Sequence, residues 1–256
     1  MTLAKFFFSS IGRLSDGMSL CFKEGLTSGK MLDYVYRNRP SGKSFLGRWI
    51  DKKFLAHPGW EAVRIRRKSL EKLLLEAIEE RNHPLRIIDI ASGPAAYILS
   101  ALKQSGRSDV EAICQDIDPR WLDEGRIAAK EAGLFRVDFR EGDAFDGKAL
   151  AKTEPQIAVS SGFYDWINDA AQIQESIRSI FNALPQGGAF VMTIQTDHPN
   201  LSFAQSVFPD FNKKPLQMTM RSSSETMQWL QAAGFQVEKV LRDPFGFYAV
   251  FKARKP

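Results

Sequence analysis

The fold is decided by residues 85–97, which read LRIIDIASGPAAY. An apolar run reaches Asp89 and continues through small residues, which predicts a buried strand, a tight turn and a helix. Such a turn lets a nucleotide-like ligand lie against backbone N–H groups and the start of the helix. The Asp89 carboxylate suits a ligand with an ammonium or hydroxyl group. Gly93 is retained, but alanine stands at positions 91 and 95, where such turns usually have glycine. An ordinary strand-to-helix turn is the alternative.

Acidic residues also close the next two strand-like segments. A second apolar run ends at Asp116, 23 residues beyond Gly93. An acid about 20 residues after the turn binds the hydroxyls of an adenosine ribose. The third run, Phe135–Arg140, leads into Asp143, whose carboxylate suits an adenine amine, and Ala144 leaves room for the ring. A solvated loop acid is the simpler explanation of one aspartate alone, but three successive strand ends predict a nucleotide-like site.

The end of the chain distinguishes two kinds of nucleotide-binding fold. Five alternations of strand and helix run from residue 85 to about 195, which predicts a parallel sheet covered on both faces. Two more strand-like runs, 235–241 and 247–252, are separated by residues 242–246, too few for a parallel crossover. The last strand is therefore expected to run antiparallel to its neighbour. A nicotinamide-dependent dehydrogenase domain, the alternative, has no such strand.

With these three motifs, the sequence resembles the class I S-adenosylmethionine-dependent methyltransferases. Their first motif matches Asp89 and residues 91–95, the second matches 116–119 (Asp-Ile-Asp-Pro), and the third matches 142–144 (Gly-Asp-Ala). More narrowly, the chain resembles a family of bacterial methyltransferases that are often fused to an α/β-hydrolase domain. That resemblance extends over nearly the whole chain and includes residues 25–30, 32–40, 59–61, 161–164 and 233–235.

The resemblance implies a Rossmann-like α/β fold with a mostly parallel seven-stranded sheet, an antiparallel last strand and an N-terminal helical cap. It also implies S-adenosyl-L-methionine as the cofactor. The fourth strand, residues 156–160, would bring serines to the methionine portion of that cofactor. The residues expected to bind the cofactor are Asp89, Ala91, Ser92, Gly93, Asp116, Ile117, Asp143, Ala144, Ser160 and Ser161.

Methyl transfer mainly requires alignment of nucleophile, carbon and sulfur, exclusion of water, and sometimes removal of a proton. The catalytic candidates are Tyr164 and Asp165, after the fourth strand, and His198, after the fifth. An imidazole titrates near neutral pH, which suits proton transfer, although a structural or exposed histidine is the alternative for His198. The sequence shows no nucleophilic triad and no cluster of metal ligands, so no metal is expected.

The chain is expected to consist of a cap or lid, residues 1–59, and a cofactor-binding domain, residues 60–256, which opens with a long helix. Core packing is the alternative for the aromatic residues of the cap. A membrane-surface helix over residues 5–14 is a further hypothesis. The cap residues expected to line the acceptor side, with aromatic walls and anion-binding guanidinium groups, are Tyr34, Tyr36, Arg37, Arg39 and Trp60.

Charge is distributed unevenly along the chain. Residues 1–86 hold 17 Lys and Arg against 9 Asp and Glu, whereas the remaining 170 residues hold 18 against 21. A basic front predicts an anionic partner, such as a phosphate-bearing substrate, a lipid surface or nucleic acid. Solubility is the alternative explanation, and part of the excess, including Arg66, is interpreted as a solvated helix face.

We therefore expect a methyltransferase that acts on a small-molecule or lipid-related acceptor, without a specific nucleic-acid partner. Two cysteines are too few for a disulfide framework, and the apolar run at residues 6–8 is too short for a signal peptide, so a cytoplasmic protein is expected. Peripheral contact with the inner face of the membrane is an additional hypothesis. Two rivals stay open: an RNA or protein methyltransferase, and a non-catalytic module that binds cofactor or a partner.

Overall fold

The computed structural model describes residues 12–210, 214 and 216–256, which form two compact units. The first unit comprises the described residues up to Ile65 together with those of 198–218. The second comprises Arg66–Asp197 and Thr219–Pro256. Most of the hypothesised membrane-surface helix, residues 5–11, lies outside the described residues, and Gly12–Leu14 forms a 3-10 turn.

The second unit is built on a seven-stranded sheet. Its strands are β1 Leu85–Ile90, β2 Val110–Asp116, β3 Val137–Glu141, β4 Ile157–Ser160, β5 Ala189–Gln195, β6 Gln236–Arg242 and β7 Tyr248–Arg254. Their order across the sheet is β3-β2-β1-β4-β5-β7-β6. Strands β1 to β5 pair in parallel, whereas β7 runs antiparallel to both β5 and β6. The predicted topology is confirmed, and it differs from the 3-2-1-4-5-6 order of dinucleotide-binding dehydrogenase domains.

Helices cover both faces of this sheet. The helices of the described residues, in both units, are α1 Asp16–Glu24, α2 Gly29–Arg37, α3 Phe45–Leu55, α4 Pro58–Glu79, α5 Ala96–Ser105, α6 Pro119–Glu131, α7 Gly147–Ala151, α8 Ala170–Ala183, α9 Leu201–Val207 and α10 Ser223–Ala232. Successive residues of a strand point to opposite faces. Ile87 accordingly belongs to one hydrophobic core with Leu74 of α4, and Ile88 to another with Ile177 of α8.

The first unit is organised around a fully buried carboxylate, that of Asp51 on α3. Its oxygens accept hydrogen bonds from Ser15 Oγ (2.6 Å), the Gly17 N–H (2.8 Å), the Ser41 N–H (2.9 Å) and the Tyr34 hydroxyl. Because these donors come from the start of α1, from α2 and from the loop before α3, Asp51 ties the unit together. Burial and the hydrogen bond to Asp51 raise the pKa of Tyr34 above its ordinary value.

The boundary between the two units differs from the expected boundary at residue 59. The first unit continues to Ile65 and gains a second segment, residues 198–218. That segment packs on α1, where the rings of Phe22 and Phe208 lie 5.4 Å apart between centroids. The Leu26 N–H also donates to the Pro209 carbonyl at 2.9 Å. The function of this unit as a cap stays a prediction.

Candidate active site

The turn between β1 and α5 has the backbone conformation that its small residues suggest. The Ser92 N–H donates to the Gln115 carbonyl at 2.8 Å, and the Ala95 N–H donates to the Ser92 carbonyl at 3.0 Å. The backbone is left-handed at three alternating positions, with φ of 53° at Ala91, 55° at Gly93 and 54° at Ala95. Both alanines therefore hold a conformation that costs an L-residue about 1–2 kcal/mol and that glycine adopts freely.

Gly93 leaves open space above the turn. A Cβ atom on Gly93 would have no neighbouring atom within 4 Å. Its N–H donates to Asp116 Oδ2 at 2.7 Å, which holds the turn against the end of β2. A ligand in this space would lie against bare backbone at the start of a helix, the environment that nucleotide-like groups require.

Asp116 is held in a single orientation at the end of β2. Its Oδ1 accepts a hydrogen bond from the Asp118 N–H at 2.9 Å, and its Oδ2 accepts the bond from Gly93. An ionised carboxylate has about four lone-pair sites, so each oxygen retains capacity for a further donor such as a ribose hydroxyl. The next residue, Ile117, is 75% exposed and presents an apolar surface suited to a flat ring.

The loop after β3 is tied to the same edge of the sheet. Gln115 Nε2 donates to the Asp143 carbonyl at 2.8 Å, and the Gly142 N–H donates to the Asp116 carbonyl at 3.1 Å. The exposed Asp143 carboxylate accepts the Phe145 N–H at 2.9 Å, which fixes the turn. The predicted residues that the structure brings to this edge are Ala91, Ser92, Gly93, Asp116, Ile117, Asp143 and Ala144.

Asp89 lies one residue before the end of β1 and is fully enclosed. Neither carboxyl oxygen has a hydrogen-bond partner of ordinary geometry among the described residues. Burial raises the pKa of Asp89 well above its ordinary value; the Tyr97 hydroxyl opposes this shift and the charge of Asp116 adds to it. A nearby cation would stabilise such a carboxylate. The site therefore fits a ligand with an ammonium group.

The end of β4 meets the end of β1, because Ser160 pairs in parallel register with Ile90. Ser160 is fully buried and Ser161 is half-buried. Gly162, with φ of 72°, follows at this edge, and its N–H donates to Thr193 Oγ1 on β5 at 2.8 Å. Both predicted serines therefore lie beside the turn between β1 and α5, as the fourth-strand assignment requires.

Tyr164 is enclosed in the core and is not accessible at this edge. Its ring is fully buried, and its hydroxyl lies 2.9 Å from Ser176 Oγ on α8. Burial raises the pKa of Tyr164, because the phenolate would be enclosed in the apolar core. This placement removes Tyr164 from the catalytic candidates, since a reacting group cannot reach its hydroxyl without opening that core.

Asp165 lies in a cluster of buried polar residues. Its Oδ1 accepts the Gln195 N–H at 2.8 Å, and its Oδ2 lies 3.9 Å from Arg66 Nη1. The Arg66 guanidinium carbon in turn lies 4.7 Å from the centre of the Tyr248 ring. Burial raises the pKa of Asp165 to about 6, and the positive charges of Arg66 and Arg221 limit this increase. Asp165 thus titrates close to neutral pH within reach of a cation.

Two further side chains complete this cluster. Gln195, at the end of β5, donates through Nε2 to the Asp197 carbonyl at 3.1 Å, whereas its buried Oε1 has no hydrogen-bond partner among the described residues. Arg221 is buried and donates to the carbonyls of Tyr164, at 2.9 Å, and Ile167. An unsatisfied buried oxygen costs about 1–3 kcal/mol, so a ligand that donates a hydrogen bond here would recover that energy.

Arg66 corrects one sequence interpretation. The interpretation of Arg66 as part of a solvated helix face is wrong, because Arg66 is only 9% exposed and pairs with Asp165. The sequence could have predicted this burial, because Arg66 lies three residues after Val63 and four before Leu70, on the apolar stripe of α4. No comparable pattern marks Arg221, which lies in the loop before α10.

The remaining predicted residues belong to the first unit. Tyr34 is bound to Asp51, and Trp60 packs against Phe54 with ring centroids 5.6 Å apart, so both contribute to the stability of that unit. Tyr36 is half-buried, Arg37 forms an ion pair with Asp33, and Arg39 is exposed. His198 accepts the Asn200 N–H at its Nδ1, at 3.2 Å. Contacts of Tyr36, Arg37, Arg39 and His198 with an acceptor stay predictions.

Two kinds of feature are absent from residues 12–210, 214 and 216–256. These residues contain no group of three or more His, Cys, Asp or Glu side chains placed to hold a metal ion. None of the helices in this part of the chain is both long and apolar enough to cross a membrane.

Known proteins with similar sequences identify the family. The model of a family described as "Putative methyltransferase" matches residues 1–255. The uncharacterized protein YnbC of Escherichia coli strain K12 is 32% identical over 250 residues, which cover 94% of this chain and 42% of that protein. A 2-methyl-6-phytyl-1,4-hydroquinone methyltransferase from rice is 28% identical over 168 residues, covering 66% of this chain and 46% of the enzyme. The chain thus spans less than half the length of these curated relatives.

Solved structures with the same fold support this assignment. A "possible exported protein" from Bordetella parapertussis superposes with a TM-score of 0.73 and 23% identity, over 99% of this chain and 86% of that one. Magnesium protoporphyrin IX methyltransferase from Synechocystis PCC 6803, solved with bound S-adenosylhomocysteine, gives a TM-score of 0.60 at 11% identity, over 91% and 98% of the two chains. The chain therefore belongs to the methyltransferase family and has the class I S-adenosylmethionine-dependent methyltransferase fold.

Proposed function

We propose that this protein transfers a methyl group from S-adenosylmethionine to an anionic acceptor, either a small molecule or a lipid-related compound. The observation that carries the proposal is the buried pair of Arg66 and Asp165 at the carboxyl edge of the sheet, next to Gly162. A buried cation suits an anionic group of the acceptor, and a carboxylate beside it suits a proton that leaves during the reaction.

The cofactor would occupy the edge formed by β1, β2 and β3. Gly93 would give it room, the Asp116 carboxylate would accept the ribose hydroxyls, and Ile117 would pack against the adenine ring. The buried carboxyl of Asp89 would face the ammonium group. When bound, S-adenosylmethionine would supply an electrophilic methyl group to the acceptor's nucleophile, with S-adenosylhomocysteine as the leaving group.

Asp165 would accept a proton from the acceptor, and Arg66 would bind the acceptor's anionic group. Below about pH 6 the Asp165 carboxyl is protonated and cannot accept a proton; above that pH it is ionised and can. An acceptor anion that binds Arg66 would draw the guanidinium away from Asp165. Because the Arg66 charge lowers the pKa of Asp165, this exchange would raise that pKa and strengthen Asp165 as a base.

Two further observations support the choice of acceptor. The front of the chain carries a positive charge excess, with 17 Lys and Arg against 9 Asp and Glu over residues 1–86. The rice relative is named for a phytylated hydroquinone, a compound with a long apolar chain. An RNA or protein substrate is the rival that the basic front also suits. RNA binding that weakens steeply as salt increases would favour that rival.

The test measures formation of S-adenosylhomocysteine with anionic phospholipids and with aromatic carboxylates as acceptors. For any acceptor that reacts, we expect kcat/KM to rise with pH through about 6, the pKa of Asp165. The Asp165→Asn variant should lose this pH dependence and about 100-fold or more of the rate, the usual contribution of a general base. The Arg66→Gln variant should raise KM by about tenfold and move the midpoint of the pH profile to higher pH.

The matched control is Asp169→Asn, because Asp169 is an exposed helix cap only four residues from Asp165 and asparagine caps helices equally well. It should leave rate and pH profile unchanged. Affinity for S-adenosylhomocysteine should be the same in all three variants. A pH profile that Asp165→Asn leaves intact would refute the assignment of Asp165 as the base.

A further inference from the structure

We propose that the outer face of helix α3, here called the α3 face, docks onto an anionic lipid surface. The α3 face consists of Phe45, Leu46, Trp49 and the cationic residues between and beside them. Phe45 is 86% exposed, Leu46 53% and Trp49 52%. Large apolar side chains clustered on one helix face expose a patch that soluble proteins usually cover or use for binding.

The α3 face cannot turn inward, because the opposite side of the helix is fixed. A Cβ atom on Gly47 would collide with the Leu14 carbonyl oxygen, so the backbone of α3 lies directly against the 3-10 turn that ends at Leu14. One helical turn later, Asp51 accepts its four hydrogen bonds inside the unit. Rotation of α3 to bury Phe45 or Trp49 would break all of these contacts.

Cations flank the aromatic pair on both sides. At 100° per residue, Arg48 and Lys52 lie on one side of Phe45 and Trp49, and Lys53 lies on the other. The Lys53 ammonium lies 5.9 Å from the centre of the Trp49 ring. Within the part of the chain that the structure describes, neither Arg48 nor Lys52 forms an ion pair with an acidic side chain. Their charges therefore remain available to an anionic partner.

This combination selects a lipid surface among the partners for an apolar face. A helix with aromatic side chains on its outer face and lysine and arginine beside them lies in the interface of an anionic membrane, with the rings at the depth of the headgroups. A second copy of the same chain would bring the same cations into apposition, and like charges across an interface are unfavourable. The face lies on a membrane in this proposal and does not cross it.

The test uses the full chain and measures binding to vesicles without cofactor or acceptor. Vesicles of phosphatidylcholine mixed with phosphatidylglycerol should sediment the protein, and pure phosphatidylcholine vesicles should sediment at least about tenfold less, with binding weakened by salt. The tryptophan emission of the protein, to which five tryptophans contribute, should shift to shorter wavelength on binding, and Trp49→Phe should remove this shift.

Two double variants, each with a control, distinguish binding by the α3 face from the effect of exposed apolar or charged residues elsewhere on the surface. Phe45→Ser with Trp49→Ser should reduce binding to the anionic vesicles by about tenfold or more, whereas Phe135→Ser, at an 85% exposed ring in the other unit, should not. Lys52→Glu with Lys53→Glu should also reduce binding to the anionic vesicles by about tenfold or more. The control is Lys130→Glu with Lys152→Glu, at two exposed lysines of the other unit, which should leave binding unchanged. Thermal unfolding checks that each variant is folded.

Equal binding to both kinds of vesicle, or equal losses in the control variants, would overturn the proposal. A concentration-dependent dimer that Phe45→Ser with Trp49→Ser abolishes would also overturn it, because the face would then belong to a second copy. Since no turnover is measured, these results are independent of the proposed acceptor and of Asp165.

Discussion

Replacement of Gly93 by alanine tests directly where the cofactor lies. At φ of 55°, alanine costs about 1–2 kcal/mol, and the smaller entropy of the unfolded chain offsets about 0.4–1 kcal/mol of this. The new methyl group meets no atom within 4 Å, so no steric term is added. Ala91 and Ala95, at nearly the same φ, already show that the turn accommodates alanine. The free energy of unfolding should therefore fall by only about 1 kcal/mol.

The effect on cofactor binding should be larger. If the cofactor lies over the turn, the methyl group on residue 93 enters space that the ligand fills, and overpacking a close contact costs about 1–3 kcal/mol. The affinity for S-adenosylhomocysteine, measured by calorimetric titration, should therefore fall by about 10- to 100-fold. Urea unfolding of the ligand-free protein gives the stability change separately.

Gly106→Ala is the matched control. Gly106 has φ of 63° and also has no atom within 4 Å of a Cβ, but it lies at the opposite end of α5. Its replacement should cost the same stability and leave the affinity for S-adenosylhomocysteine unchanged. If Gly93→Ala binds S-adenosylhomocysteine as tightly as the original protein, the cofactor does not lie over this turn.

Two other predictions concern buried carboxyl groups. If the ligand's ammonium group faces Asp89, binding of S-adenosylhomocysteine below the raised pKa of this residue should release a proton, because the cation favours the ionised carboxylate. The calorimetric enthalpy should then depend on the ionisation enthalpy of the buffer, and Asp89→Asn should remove that dependence; equal enthalpies in two buffers would exclude the contact. In the first unit, Asp51→Asn replaces one carboxylate oxygen, which accepts two of the four hydrogen bonds, by an amide group that can only donate. This change should cost about 3 kcal/mol of stability, whereas Tyr34→Phe should cost about 1–2 kcal/mol. Urea unfolding measures both, and a smaller loss for Asp51→Asn than for Tyr34→Phe would contradict the organising function of Asp51.

The fold was predictable because its signals are local. Strand β2 ends at Asp116 as predicted, and β4 occupies residues 157–160 of the predicted 156–160, since each is a short apolar run bounded by turn residues. The antiparallel β7 followed from the length of a single loop. The three acids at the ends of β1, β2 and β3 were predictable for the same reason, because the carboxyl ends of neighbouring parallel strands share one edge.

Residues whose environment depends on distant contacts were not predictable in this way. In the sequence WIDKKFL, Asp51 has the appearance of a surface charge on an amphipathic helix, and only its four donors from elsewhere in the unit explain its burial. Arg221 has no local pattern at all. Residues 198–218 join the first unit through contacts with Phe22 and Leu26, which lie more than 170 positions earlier in the chain. Local periodicity carries no information about such contacts.

Neither alanine in the turn fills the space above Gly93, because no atom lies within 4 Å of a Cβ atom placed there. Ala95 is fully buried and its methyl group belongs to the same core as Ile98, so it points away from the space above Gly93. Burial of that methyl contributes about 0.8 kcal/mol, which offsets much of the roughly 1–2 kcal/mol that left-handed backbone costs alanine. The turn thus keeps the shape that glycines would give it, with the Gly93 N–H still on Asp116. Alanine at positions 91 and 95 therefore affects the stability of the turn and leaves the space above Gly93 open.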